Sequence, residues 1–138
     1  MIHIKIVTPE GVIYEDKQIE SITLPTTAGV ITVKDDHVPV VSVITSGEIN
    51  VEKDGHTVDL AVSKGILEIK RDSMIYILAD TAERAEDIDL ERAEVARKRA
   101  EEYINSQESI ADVEFARLQA KIEKELARLS VGRKYKRL

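Results

Sequence analysis

The chain has 138 residues, a formal net charge of −6 and no cysteine, which leaves room for one domain or a small domain with an appendage. It also excludes a disulfide framework, a thiolate metal site and a cysteine nucleophile. Residues 1–84 carry 8 Lys/Arg against 14 Asp/Glu, whereas residues 85–138 carry 12 of each; an acidic first part, in a chain with one Phe and no Trp, argues against nucleic-acid binding.

At the N-terminus, Ile2, Ile4 and Ile6 alternate with His3 and Lys5, the period of a strand with one buried face. This start lacks a signal-peptide pattern, and no apolar run approaches the roughly 20 residues that span a bilayer. The expectation is a soluble chain with no direct membrane insertion, linked to a membrane only through a partner. A turn at Thr8-Pro9-Glu10-Gly11 leads into a strand at 12–14, and Ile22 and Leu24 alternate before Pro25. Residues 29–33 and 38–44 are β-branched, and Ser46-Gly47 breaks the chain before Ile49 and Val51. Asp54-Gly55, set between two alternating runs, predicts a tight hairpin with φ > 0 at both residues. A further hairpin, 65–69 with 74–78, turns near Arg71-Asp72. Eight to ten short strands with frequent turns predict a β-sandwich or flattened barrel.

At Ala79 the pattern changes. No Gly or Pro occurs from Thr81 to Leu129, and Ala, Glu, Arg and Lys dominate, all good helix formers. Asp87 is the expected N-cap of a first helix, with Leu90, Ala93, Ala96, Ala100, Tyr103 and Ile104 on one face. A polar break at 105–109 precedes a second helix expected over 111–130. Phe115, Leu118, Ile122, Leu126 and Leu129 form its large apolar stripe, and Ala116, Ala120 and Ala127 a small-residue stripe that favours an antiparallel hairpin. Gly132 is expected to end this helix, leaving a basic tail over 133–138. The pattern fits a hairpin docked on the sandwich better than a mobile arm. The division expected is a β-sandwich over 1–84 and a helical hairpin over 85–138.

No nucleophile elbow, phosphate-binding glycine loop or dinucleotide fingerprint is present, and His3, His37 and His56 lack metal-ligand spacing. Asp87, Asp89 and Glu91 are the only carboxylates worth weighing for a small hydrolase, and adjacency is common in so acidic a chain. Two helical groupings carry more. Asp89, Arg92 and Arg99 share one side of the first helix, and Arg117, Lys121, Lys124 and Arg128 form a basic stripe on the second. Folded together they suit a polyphosphate, with a carboxylate to accept from a base amino group or ribose hydroxyl. Pairing with neighbouring Glu is the plainer account of the same charges.

Residues 79–93, Ala79-Asp80-Thr81-Ala82-Glu83-Arg84-Ala85-Glu86-Asp87-Ile88-Asp89-Leu90-Glu91-Arg92-Ala93, resemble the second-domain start of the epsilon (ε) subunit of F-type ATP synthases. Ser63-Lys64-Gly65-Ile66-Leu67-Glu68-Ile69 is similar to that family's Ser-Gly-Gly-hydrophobic-Leu-Glu-Val signature, with Lys64 in place of Gly. The segment from Gly29 through His37-Val38-Pro39 resembles its Gly-x-x-Gly-x-x-Pro-x-His-x-Pro, with Thr32, Asp35 and Asp36 where Gly, Pro and Gly are usual. The resemblance runs the whole length, in order.

It implies a ten-stranded β-sandwich and a C-terminal helical hairpin in the central stalk, bound to the gamma (γ) subunit and the c-ring. It implies a subunit that does no chemistry, takes part in coupling proton-driven rotation to ATP synthesis, and sits peripherally on the cytoplasmic face of the cell membrane. The helices of such subunits extend into the alpha/beta catalytic ring and inhibit ATP hydrolysis. Some bacterial members hold ATP, a regulatory ligand rather than a required cofactor, through Ile/Leu-Asp-x-x-Arg-Ala. Ile88-Asp89-Leu90-Glu91-Arg92-Ala93 matches that motif, Glu83, Arg99 and Arg128 fit further ligand positions, and Lys124 stands where strong binders have Arg. No metal site is implied. A stand-alone ATP-sensing module is the alternative.

Overall fold

Period-two alternation builds the first part, in the computed structural model that describes residues 1–136. Ten strands follow one another: β1 (Ile2–Thr8), β2 (Gly11–Ile19), β3 (Ser21–Thr26), β4 (Gly29–Lys34), β5 (Val40–Ile44), β6 (Gly47–Lys53), β7 (His56–Val62), β8 (Gly65–Lys70), β9 (Met74–Ala79) and β10 (Ala82–Arg84). They pair in the order β10-β7-β6-β3-β5-β8-β9-β1-β2, with β4 also on β3. Among the described residues only β1 and β9 run parallel. The sheet folds over itself into a sandwich, so side chains from β1 through β9 meet in one core. Ile2, Ile4, Ile6, Leu24, Ile49, Leu60 and Ile77 are fully enclosed there. Each such side chain contributes about 1.5–3 kcal/mol of burial.

Local chemistry sets the turns. Asp54 and Gly55 take φ of 50° and 76°, as the Asp-Gly hairpin requires. The β8–β9 turn uses Asp72 and Ser73, both at positive φ. Lys53 on β6 donates to Asp16 on β2 at 2.5 Å, tying the two layers together. That hydrogen bond holds the Asp16 carboxyl below the usual carboxylate range.

Two residues lock the exit from the sandwich. The Ser63 hydroxyl accepts from the Thr81 backbone N–H at 2.9 Å, and the Ser63 N–H donates to the Thr81 carbonyl at 3.0 Å. This node aims β10, and with it Glu83, at the helices. A 3-10 turn (Ala85–Asp87) follows, then α1 (Leu90–Ser106) and α2 (Asp112–Lys136), which lie against each other. The hairpin is docked: α2 packs on β6, β7 and the 3-10 turn.

The helical half departs from expectation in three ways. Asp89, not Asp87, caps α1, its carboxylate accepting from the Arg92 backbone N–H at 3.0 Å. Asp87 belongs to the 3-10 turn, and extended Ile88 separates the two. Second, α2 continues through Gly132 to Lys136, so Arg133, Lys134, Tyr135 and Lys136 are helix, not tail; Arg137 and Leu138 lie outside the described residues. Gly132 is buried against the start of α1, and a Cβ there would stand 2.6 Å from Leu90 Cδ2 and 3.1 Å from Ile88 Cγ2. Its lack of a side chain permits helix contact rather than ending the helix. Third, the large apolar stripe is only partly buried. Ile122 and Leu129 face inward with Ala127, Val131 and Gly132, while Phe115 and Leu126 are exposed. The seam over the sandwich is short and apolar, chiefly Ala61, Ala85, Ile88 and Val131, with Leu90 alongside.

Candidate functional site

Where β10 and the 3-10 turn meet the hairpin, a cleft of about 560 Å³ opens between sandwich and helices. Its size suits a nucleotide-sized ligand. Glu83, Asp89, Arg92, Lys124 and Arg128 all line it, with Lys121, Glu125 and Asp87. Five of the seven residues singled out from the sequence are thus brought together from three elements. Ile88 lies beneath, in the apolar seam. Arg99 is exposed further along α1 and is not among the lining residues, nor is Glu91.

The geometry divides these groups by role. Arg128 stands at the centre. Its Nε and Nη2 donate to the two oxygens of Glu83 at 2.8 and 3.4 Å, and its Nη1 donates to Glu125 at 2.9 Å. Burial opposes the Arg128 charge, but hydrogen bonding and attraction from Glu83 and Glu125 outweigh it and raise its pKa. One oxygen of Asp89 is engaged in capping α1, which fixes its position at the cleft mouth. Arg92, Lys121 and Lys124 line the same space and make no ion pair among the described residues. Their charges face the acidic sandwich side, where Glu10 and Asp80 contribute. The plainer account of the basic residues holds for others: Arg97 pairs with Glu94 and Glu101, and Arg117 with Glu114.

Glu125 was not anticipated. It is 2% exposed, on a helix whose neighbours Lys124 and Leu126 are half-buried and exposed. The i,i+3 spacing of Glu125 and Arg128 was the available signal, but it does not distinguish a solvated pair from a buried one. Outside the cleft, Lys134 donates to Glu48 on β6 at 2.8 Å, a second tie between α2 and the sandwich.

Sandwich and docked arm make a two-part protein with a cleft lined by charges of both signs at the joint. Comparison with known proteins gives the class a family. Residues 1–85 match "ATP synthase, Delta/Epsilon chain, beta-sandwich domain", and residues 86–132 match "ATP synthase, Delta/Epsilon chain, long alpha-helix domain". The ATP synthase epsilon chain of Macrococcus caseolyticus is 37% identical over 130 residues, covering 94% of this chain and 95% of that one. That of Desulforamulus reducens is 38% identical over 113 residues, covering 82% and 84%. Among solved structures, a chain of the Euglena gracilis mitochondrial ATP synthase superposes with a TM-score of 0.72 at 21% identity, covering 94% of this chain and 78% of that one. A chain of the Tetrahymena thermophila mitochondrial ATP synthase central stalk and c-ring gives 0.68 at 10%, covering 95% and 96%. The protein belongs to the ATP synthase delta/epsilon chain family, and its place is among ATP synthase subunits of the epsilon type.

Proposed function

We propose that the protein is a non-catalytic central-stalk subunit of a proton-translocating F-type ATP synthase, held peripherally at the cytoplasmic face of the cell membrane. In this reading it binds the gamma subunit and c-ring through its sandwich. Its hairpin holds ATP when folded and enters the alpha/beta ring to inhibit hydrolysis when extended. The observation that carries the regulatory part is the cleft, where Glu83, Asp89, Arg92, Lys124 and Arg128 converge at the joint between sandwich and arm. A ligand there contacts the docked arm and the sandwich together, so it favours the docked state by its differential affinity for it. Cations supply phosphate contacts, and Glu83 and Asp89 supply acceptors for a base or sugar. Arg92→Ala is expected to weaken ATP binding at least tenfold in titration calorimetry on the full chain, an arginine–phosphate contact being worth about 1.5–3 kcal/mol. Unchanged affinity, or no heat from the native chain at millimolar ATP, would sink the reading.

An apolar stripe supports the stalk part. Val43, Ile66, Leu78, Val7 and Val12 pair across β5, β8, β9, β1 and β2, on the outward side of the half that the hairpin leaves uncovered. All but half-buried Val7 are exposed. So continuous an aliphatic row marks an interaction face and favours a partner-bound subunit over a free-standing sensor. No helix among the described residues is long and apolar enough to cross a membrane. Leu78→Asp should leave the isolated fold intact, because the side chain points outward, yet abolish co-purification with the gamma subunit. Retention of that subunit would rule out this face as the contact.

A further inference from the structure

We infer that Glu125 is a fixed negative gate on the cleft, setting how strongly it takes highly charged phosphate ligands. The inference rests on reading the cleft as a nucleoside polyphosphate site. Arg128 has five N–H donors; two meet Glu83 and one meets Glu125. The three side chains together carry a net charge of −1, so an incoming phosphate meets a cation already over-neutralised. The two carboxylates differ in freedom. The Glu83 side chain is 30% exposed, at the open side on β10. The Glu125 side chain is 3% exposed and sits on α2 one turn before Arg128, where the helix and its surroundings hold it. Phosphate can therefore recruit the Arg128 fork by displacing Glu83, which is then released to accept from a ligand hydroxyl or amino group. Glu125 stays, and repels each further phosphate charge.

Glu125 is thus a positioning residue with a selective effect. It holds the Arg128 guanidinium at the cleft and, through the same charge, compresses the difference in affinity between a neutral nucleoside and its triphosphate. Glutamine at this position keeps an acceptor for Arg128 Nη1 and removes the charge. Leucine removes both, in a buried helical position that suits it, and leaves Arg128 paired with Glu83.

The test is titration calorimetry of the full chain with ATP, ADP and adenosine, circular dichroism confirming the fold of each variant. In Glu125→Gln and Glu125→Leu, ATP should bind about tenfold tighter or more, as expected for removing a unit charge a few ångströms from phosphate in a partly buried site. ADP should gain less, and adenosine should be unchanged. Unaltered or weaker ATP binding in both variants, with the native chain binding ATP, overturns the gate and leaves the nucleotide site standing. An equal gain for adenosine also overturns it, since a packing change would act on the neutral ligand too. If neither native nor variant chains bind ATP, the site and the gate both fall.

Discussion

Gly65→Ala is expected to lower the thermal midpoint of the sandwich by roughly 10–20 °C, equivalent to about 3 kcal/mol for a domain of this size. Gly65 begins β8 and pairs with Ala79 on one side and Ile44 on the other, so backbone approaches it from both neighbours. A Cβ there would enter the van der Waals shell of the Leu78 carbonyl oxygen and stand 2.9 Å from Ala79 Cα. These are backbone atoms of a paired strand, and neither can rotate away. Relief requires separating β8 from β9 next to the Ser63–Thr81 node, which also aims Glu83 at the cleft. The damage should therefore reach the site as well as the core. Gly55→Asn is the matched control. Gly55 has φ of 76° in an open turn with nothing near its missing side chain, and Asn tolerates that region, so the change should shift the midpoint by only a few degrees. Differential scanning calorimetry distinguishes the two; equal midpoints would mean that the strands yield at Gly65.

The same glycine shows what was legible in the sequence. Ser63-Lys64-Gly65 marked a family signature, but its physical content, a hydroxyl bound to Thr81 and a backbone position without room for Cβ beside β9, appears only in the fold. Asp54-Gly55 and the alternation of β1 were readable, because φ preference and period two are properties of adjacent residues. Gly132, unlike Gly55, misled because its role is set by distant residues. A glycine near the end of an apolar stripe suggests a helix stop, and only contact with Leu90 and Ile88, more than 40 positions earlier, makes it a place of close approach. Phe115 and Leu126 fit a buried stripe by spacing, yet the sandwich offers the hairpin only a narrow apolar seam. For the cleft, Glu83, Asp89, Arg92, Lys124 and Arg128 were found because their spacing and resemblance survive in one dimension. That Glu83 and Glu125 already fill three of the donors of Arg128 is a three-dimensional fact, as is the exposed placement of Arg99.

The narrowness of that seam makes the ion pairs weigh more than usual, and Arg128→Met is expected to undock the hairpin. Arg128 joins β10 to α2 through Glu83 and neutralises Glu125, the most buried carboxylate of the helices. Methionine preserves length and apolar stem but leaves the Glu125 charge enclosed without a partner. Breaking a buried pair from one side typically costs about 3–5 kcal/mol, comparable to what the few aliphatic side chains of the seam contribute by burial. Undocking hydrates Glu125 and avoids the penalty, so the chain should take that route. Hydrogen exchange should speed up by roughly two orders of magnitude or more in α2 and on the β7 face beneath it, while the core amides of β1 and β9 stay protected. Glu125→Gln in the same chain removes the stranded charge and should restore most of the protection. If Arg128→Met alone leaves α2 as protected as before, Glu48–Lys134 and the Gly132 contact hold the arm without it. Rescue by Glu125→Gln ties the arm's position to charge balance around one arginine, the same group that a phosphate ligand would compete for.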